Sequence, residues 1–293
     1  MPIANETGPF ATEQVDGLLR RLAYQAGRTA KSPHASEVHD LRVSIRRFAQ
    51  ALAAFNSCFS TQDVKKLKRR LKKIMGLAGD VRDCDIALEL LSKFKSVPAA
   101  ILSSFRKRRK EAERDLTGAL KRWSQRRTYS KWRAVLESRG RGGIGYDPIG
   151  VTARGVLQPM VREFLGRGKR ALGPKASIER IHRLRIEAKK LRYTVELFAP
   201  VDGASLDGWL ERLKALQKVL GVISDCETVR AMIERQGGDR RIEAALRRKV
   251  RRKLDEFRQL WADSFSDASV DIAPGISRKP AAPSEPRALR AAG

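Results

Sequence analysis

The chain of 293 residues has few acidic side chains, few aromatic rings and only three histidines. It carries 33 Asp and Glu against 61 Lys and Arg, which gives a formal net charge of +28 at pH 7. Aromatic residues make up only 6% of the sequence, so a surface that stacks on the bases of single-stranded nucleic acid would have few rings available. Hydrophobic residues still make up 42%, which is enough for a buried core and excludes a disordered polycation.

Cysteines are also few. Cys58, Cys84 and Cys226 are odd in number, lie at unrelated spacings and form no CxxC pair, so neither a disulfide framework nor a zinc site is indicated. The N-terminus does not resemble a signal peptide, and no apolar run approaches the roughly 18 residues of a membrane span. We therefore expect reduced thiols, a cytoplasmic protein, and buried side chains for Cys84 and Cys226.

The positive charge is spread over the whole chain. Residues 1–138 carry 29 basic and 14 acidic side chains, and residues 139–293 carry 32 and 19. A folded protein with this much like charge repels itself, which favours a standing polyanionic partner. The alternative is a solvated basic surface that only aids solubility.

Apolar residues recur at helical spacing along most of the chain, as in Leu41, Ile45, Phe48 and Leu52. No segment alternates in the two-residue pattern of a strand, so the predicted fold class is all-α. Eight helices are expected, near residues 12–31, 35–58, 62–94, 98–137, 150–170, 177–199, 205–235 and 239–262.

Two segments lack helical periodicity. Residues 139–149 are rich in glycine and predict a linker, without the strand and Lys-Ser or Lys-Thr pair of a phosphate-binding loop. Residues 263–293 are rich in Ala, Pro and Ser and predict a disordered tail. The expected organisation is an N-terminal tail (1–11), then one domain (12–262) made of repeat one (12–138), the linker and repeat two (150–262).

The two halves carry matching motifs in the same order. VHDLRVSIRRFAQALAAF at 38–55 aligns without a gap on IHRLRIEAKKLRYTVELF at 181–198, 143 residues later. LKKIMGLAGDVRDCD at 71–85 aligns on LKALQKVLGVISDCE at 213–227, 142 residues later. Nearly equal offsets predict two tandem four-helix bundles related by internal duplication and packed as a pseudo-two-fold pair.

Each duplicated helix carries a stripe of basic residues with a histidine. At about 100° per residue, His39, Arg42 and Arg46 share one side of the helix, away from the apolar stripe. A merely solvated face would mix charges of both signs at i,i+4 spacing, so we expect the stripes to line a basic central channel. The stripe of repeat two consists of His182, Arg185, Lys189 and Arg192.

The paired H-x-x-R helices, each followed by a G-x-x-x-D turn, resemble the CHAD family, the conserved histidine α-helical domain. The turns are Gly79 to Asp83 and Gly221 to Asp225, and the resemblance covers about residues 12–262. It implies an all-α pair of four-helix bundles that binds inorganic polyphosphate in a basic channel and associates with polyphosphate granules. The chain lacks the N-terminal E-x-E-x-K strand of members fused to a CYTH triphosphatase, so we expect no enzyme activity.

The repeats differ at two points of the family pattern. The R-D-x-D turn is intact at residues 82–85 but reads Ser-Asp-Cys-Glu at 224–227. Ala49 also stands where repeat two has Arg192. We therefore expect the two halves to bind the ligand with unequal strength.

The resemblance and the basic run KKLKRRLKK (65–73), seven of whose nine residues are basic, define the expected polyphosphate-binding residues. Phosphate or sulfate would mimic the ligand, and no cofactor, metal or catalytic residue is expected. The set is His39, Arg42, Arg46, Arg47, Lys65, Lys68, Arg69, Lys72, Lys73, His182, Arg185, Lys189, Lys190, Arg192, Lys214 and Lys218.

Several alternatives remain open at this stage. The histidines could instead bond Asp83 or Asp225, and these aspartates could act as acid and base or orient the basic side chains. A metal site has no HExxH-like spacing to support it. The rival functions are non-specific nucleic-acid binding and a granule scaffold that contacts other granule proteins. The basic run at 106–110 has no assigned role.

The histidines also give a hypothesis about pH. A polyanion favours protonated imidazole, whose pKa is about 6.5 when unperturbed. Polyphosphate binding should then strengthen as the pH falls from about 8 to 6.

Overall fold

The computed structural model describes residues 6–137, 147–173, 176–201 and 203–266. Within these ranges the chain forms nine α-helices and a 3-10 turn and contains no β-strand, which confirms the all-α prediction. The helices are α1 (Thr7–Lys31), α2 (Ala35–Ala54), α3 (Thr61–Leu91), α4 (Ala99–Gln125), α5 (Thr128–Glu137), α6 (Ile149–Leu172), α7 (Ile178–Phe198), α8 (Gly203–Glu234) and α9 (Arg240–Phe265).

The helices group by halves of the chain. In the first half α1 packs against α2, α4 and α5, and α3 packs against α2 and α4. In the second half α7 packs against α6 and α8, and α9 against α8 and α6. The halves meet mainly through α2 with α7 and α3 with α8, the helices that carry the matching motifs. This grouping fits the predicted pair of bundles, while the internal duplication itself stays a prediction from the sequence.

An aromatic cluster joins the two halves. Phe55 and Phe198 hold the same position in the two aligned motifs, and their rings meet edge to face with centroids 5.5 Å apart. Phe10 of α1 packs on both, with centroid distances of 6.0 and 6.5 Å. All three side chains are buried, and each contributes about 1.5–3 kcal/mol by leaving water.

The single helix predicted over 98–137 is wrong, because the chain breaks it into α4 and α5 at Arg127. This residue has a φ of 49°, in the left-handed region that interrupts a right-handed helix. The break lets Trp132 of α5 stack on Phe48 of α2, with ring centroids 6.2 Å apart, and meet Trp123 edge to face at 6.0 Å. The burial of Trp132 offsets the backbone strain, and no Pro or Gly signals the break in the sequence.

The predicted N-terminal tail is wrong from residue 7 onward, because α1 begins at Thr7. Its backbone N–H donates to the carbonyl oxygen of Asp147 at 3.0 Å, and its hydroxyl donates to the same oxygen at 2.8 Å. These bonds fasten the start of α1 to the residues that lead into α6.

The remaining helix ends lie within four residues of their predicted positions, and α9 continues to Phe265. Residues 139–146 of the predicted linker and 267–293 of the predicted tail lie outside the described residues. The division into repeats therefore stays a prediction. The three cysteines are buried free thiols, as the sequence predicts.

Gly168 tests the packing of α6 on α9. A Cβ at this position would lie 1.8 Å from Cη2 of Trp261, so Gly168→Ala should lower the free energy of unfolding by about 1–3 kcal/mol or more. Gly155→Ala is the matched control in the same helix, because its Cβ meets nothing within 4 Å and should stabilise by about 0.5–1 kcal/mol. Urea unfolding measures both. Equal stability of the two variants would contradict the close approach of α6 and α9.

Candidate functional site

A cavity of about 750 Å³ lies where α2 and α3 of the first half meet α7 and α8 of the second. We call it the central cavity. Nine basic side chains line it, contributed by both halves, together with the carboxylates of Asp83 and Asp225. The basic residues are His39, Arg42, Arg46, Lys68, Arg82, His182, Arg185, Lys189 and Lys190.

The cavity brings together the two predicted stripes. His39, Arg42 and Arg46 extend from α2, and their aligned counterparts His182, Arg185 and Lys189 extend from α7. Lys68 and Lys190 are the other predicted residues in the lining. Six residues of the two stripes thus line one cavity, and Arg192, the fourth residue of the second stripe, does not. The central channel and the binding role of each residue stay predictions.

Arg47 and Arg192 do not line the cavity. Both instead pair with Glu196 of α7. The distances are 2.9 Å from Arg47 Nη2 to Glu196 Oε2 and 3.5 Å from Arg192 Nη1 to Glu196 Oε1. Only the Arg47 pair joins α2 to α7, because Arg192 and Glu196 lie one turn apart on α7 itself. Neither arginine lines the cavity, and the binding role expected of each stays a prediction.

The other predicted residues outside the cavity are exposed lysines and one arginine. The run at 65–73 surrounds α3 on all sides, and Lys68 alone of its basic residues faces the cavity. Lys214 of α8 pairs with Glu211 at 2.8 Å instead. The residues that the structure leaves outside are Lys65, Arg69, Lys72, Lys73, Lys214 and Lys218.

Sequence reasoning missed Arg82, which lines the cavity from α3. The signal that could have found it is the R-D-x-D turn, in which it immediately precedes Asp83. Its aligned position in the second half is Ser224, which also lines the cavity but carries no charge. Gln50 and Tyr193 are further lining residues outside the predicted set.

Most cations of the cavity lack an acidic partner. Among the described residues, Arg185 Nη2 lies 3.5 Å from Asp225 Oδ1, and Lys190 Nζ lies 3.0 Å from Oε1 of Glu187, which does not line the cavity. The cavity therefore presents positive charge that the protein itself does not neutralise. The cations without a carboxylate within ion-pair distance, in the part of the chain that the structure describes, are Arg42, Arg46, Lys68, Arg82 and Lys189.

Arg42 is held against α3. Its Nη1 donates to the carbonyl oxygen of Met75 at 3.2 Å. A Cβ on Gly79 would lie 3.0 Å from the same nitrogen, so the glycine of the G-x-x-x-D turn leaves room for the guanidinium. Gly221, its counterpart, has nothing within 4 Å of such a Cβ, so this close approach occurs only in the first half.

The pKa of Lys189 is lowered by burial and by the neighbouring positive charges. Burial, followed by the charges of Arg185 and Arg46, lowers the pKa of Lys189 to about 6, against the opposing effect of Asp225. Burial and the charge of Arg46 likewise lower the pKa of Arg42 to about 10. Near neutral pH the cavity without ligand therefore holds a charged Arg42 and a mostly neutral Lys189.

The pKa values of the two aspartates and the two histidines are also shifted by burial in the cavity. Burial raises the pKa of Asp83 and of Asp225, although Arg42 and Arg185 respectively oppose the rise. Burial, with nearby arginines, lowers the pKa of His39 and of His182. Within the described ranges neither histidine makes a hydrogen bond to Asp83 or Asp225, and a fixed role of the histidines in the core stays a prediction.

The second acidic residue of each turn has a different role. Asp85 accepts a hydrogen bond from Arg109 Nε at 2.7 Å, and Arg109 Nη2 donates to the carbonyl oxygen of Pro33 at 3.0 Å. In the second half Glu227 accepts from Arg230 at 3.0 Å. Arg109 belongs to the basic run at 106–110, so one member of that run fastens α4 to α3 and to the α1–α2 loop.

The described residues offer neither a metal site nor a membrane span. No group of three or more His, Cys, Asp or Glu side chains is arranged to hold a metal ion there. None of the helices in those ranges combines the length and apolar character of a membrane span.

Comparison with known proteins identifies the family. The CHAD domain profile matches residues 13–234, and the chain belongs to the CHAD family. The crystal structure of the CHAD domain from the plant Ricinus communis matches with a TM-score of 0.67 at 17% identity, covering 92% of this chain and 91% of that one. PptA from Streptomyces chartreusis matches with a TM-score of 0.66 at 18% identity, covering 88% of this chain and 99% of that one. No curated protein matches the sequence.

Lys189 gives a prediction about stability. The unfolded lysine holds its proton up to about pH 10.4 and the folded one only to about 6, so the unfolded state binds more protons between these values. The stability of the ligand-free protein should therefore rise with pH over this interval. Lys189→Met should remove that contribution and raise the Tm at pH 7, by roughly 2–4 °C per kcal/mol gained.

Thermal unfolding between pH 6 and 9 checks this prediction. Lys214→Met is the matched control, because Lys214 is exposed and lies outside the central cavity. An unchanged Tm and an unchanged pH dependence in Lys189→Met would contradict the crowded environment of this lysine.

Proposed function

We propose that this chain binds inorganic polyphosphate in the central cavity. The observation that carries the proposal is the set of basic side chains that both halves bring to this cavity, five of which have no carboxylate within ion-pair distance among the described residues. Arginine offers two parallel donors to phosphate oxygens, and lysine offers a mobile point charge. A linear chain of phosphates would satisfy these groups in many registers, since every phosphate along the chain is equivalent.

Membership in the CHAD family, whose known property is polyphosphate binding, supports the same ligand. We further propose that the protein is cytoplasmic, associates with polyphosphate granules and binds its ligand without transforming it. Asp83 and Asp225 suit an orienting role, because the charges of Arg42 and Arg185 act on them most strongly.

Nucleic acid is the main rival ligand. A protein with a net charge of +28 would bind DNA or RNA non-specifically at low salt. A cavity of about 750 Å³ has the size of a small-ligand site and is too narrow for a duplex, whose major groove alone is about 12 Å wide. DNA would thus contact the outer surface and lose to polyphosphate in competition at physiological salt. A granule scaffold that contacts other granule proteins would use polyphosphate as its anchor.

Arg46 and Arg47 are adjacent residues that allow a matched test of the site. Arg46→Gln removes an unpaired cation from the cavity, whereas Arg47→Gln removes one that is paired with Glu196 outside it. Arg46→Gln should weaken polyphosphate binding by about tenfold or more, because a hydrogen bond to a charged group contributes about 1.5–3 kcal/mol. The slope of log Kd against log salt concentration should also fall by roughly 0.7.

Titration with polyphosphate of defined length, at several salt concentrations, measures both quantities. Arg47→Gln should keep the affinity and the salt slope of the unaltered protein within error. Equal losses in the two variants would indicate that total charge, rather than the central cavity, holds the ligand. Displacement of polyphosphate by DNA would favour the rival function.

Proton uptake gives a second test of the site. A bound polyanion offsets the charges of Arg185 and Arg46, which raises the pKa of Lys189 from about 6 and draws a proton onto it. His39 and His182, whose pKa values are also lowered, should respond in the same direction. Binding should therefore weaken as the pH rises from about 6 to 8, by up to about one logarithmic unit in Kd per pH unit for each titrating group.

Calorimetric titration in buffers of different ionisation enthalpy counts the protons taken up. Lys189→Arg keeps a charge that does not titrate, so it should bind well at pH 8 with fewer protons taken up than the unaltered protein. Replacement of both His39 and His182 by Ala should reduce the proton uptake that remains in Lys189→Arg. Unchanged proton uptake in all these variants would contradict the assignment of binding to the central cavity.

A further inference from the structure

A second basic groove lies where α3, α4 and α5 of the first half meet, with a volume of about 290 Å³. We call it the outer groove. It shares no lining residue with the central cavity, although α3 contributes to both. Arg70 and Lys73 lie about 140–200° around α3 from Lys68, so one basic run supplies cations to two separate sites. The cations of the groove are Arg70, Lys73, Arg122, Arg126 and Lys131.

No carboxylate lines the outer groove. None of its five cations has an acidic partner within ion-pair distance among the described residues. Elsewhere on the same helices basic residues are paired, as Arg109 is with Asp85 at 2.7 Å and Arg133 with Glu137 at 2.8 Å. A face that only needed hydration would carry such acidic partners as well, so the groove differs from the surface around it.

Within the described residues, the aligned positions of the second half do not repeat the cation cluster of the outer groove. At the offset of the second motif, Arg70 aligns with Arg212, whose Nη1 donates to the carbonyl oxygen of Ser264 at 3.1 Å and whose Cζ lies 4.9 Å from the ring centroid of Trp209. Lys73 aligns with Ala215. The cluster is therefore not a by-product of the repeated pattern that builds the central cavity.

The break between α4 and α5 creates the groove. Arg126 lies at the break and Lys131 lies one turn into α5, so the turn at Arg127 brings their side chains to the same concave surface as Arg122. In the second half α9 runs without interruption from Arg240 to Phe265. The strained turn that the sequence does not signal thus has a second consequence beyond the burial of Trp132.

We propose that the outer groove is a second anion site, which binds a group of linked phosphates such as a triphosphate. Three helices direct five unpaired cations at one small cavity, and an anion with a single charge would leave most of them unneutralised. Its three arginines offer paired donors to phosphate oxygens. The half-buried ring of Trp123 forms part of the wall and gives a nucleotide base a surface on which to stack. The proposal stands independently of the ligand of the central cavity.

Lysine acylation followed by mass spectrometry tests the site residue by residue. Tripolyphosphate at physiological salt should protect Lys73 and Lys131, whereas Lys107 and Lys110, which are exposed on α4 outside the groove, should react as before. At about ten times the Kd the protection should be about tenfold, because only the unoccupied fraction reacts. The acylation of Lys68, which lines the central cavity, shows in the same experiment whether that cavity binds the anion. Loss of binding in the central cavity is therefore distinguishable from loss of binding in the outer groove.

A pair of matched variants separates a built site from general charge. Arg122→Gln with Arg126→Gln should abolish the protection of Lys73 and Lys131, and Arg106→Gln with Arg114→Gln, exposed residues of α4 outside the groove, should leave it intact. Equal protection of the two lysines by tripolyphosphate and by ATP would show that the groove recognises the phosphates alone. Stronger protection by ATP would show that the groove also binds the base. Protection of Lys73 and Lys131 no greater than that of Lys107 and Lys110 overturns the proposal.

Discussion

The contact between α2 and α7 is the interaction on which the rest of the structure depends. Phe55 and Phe198 come from matching positions of the two motifs, and their contact at 5.5 Å fixes how the two helices cross. With that crossing fixed, the basic stripes of both helices necessarily face the same cavity. The basic side chains that face one another across the cavity repel. Burial of the aromatic cluster formed by Phe55, Phe198 and Phe10 must therefore offset this repulsion.

The basic residues fall into two groups, those that form ion pairs with carboxylates and those that do not. Arg47 joins α2 to α7 through Glu196, which also pairs with Arg192 on α7 itself, and Arg109 joins α4 to α3 through Asp85. Arg46, one residue from Arg47, faces the cavity without such a partner. Arg47 and Arg109, which join helices, are thus neutralised by carboxylates, whereas five cations of the cavity have no carboxylate within ion-pair distance among the described residues.

The sequence predicts the helices and the convergence of the stripes well, because both follow from the helical period and the repeated motifs. It names more residues than line the cavity, because Arg47 enters the predicted set as a position of the family motif. The contact of Arg47 with Glu196, on a helix far along the chain, is not visible in that motif. The break at Arg127 escapes prediction for a similar reason. Its cause is the tertiary contact between Trp132 and Phe48, which no local pattern encodes.

The two halves contribute unequally to the central cavity, and the differences fall on particular helices. Lys68 and Arg82 of α3 align with Leu210 and Ser224 of α8, so α3 adds two cations where α8 adds none. On the paired helices α2 lines the cavity with Arg42 and Arg46, and α7 lines it with Arg185, Lys189 and Lys190, of which Lys189 is mostly neutral near pH 7. The clearest difference between the halves is therefore the pair of cations on α3. If polyphosphate binds in the cavity as proposed, this pair should strengthen its attraction to the first half.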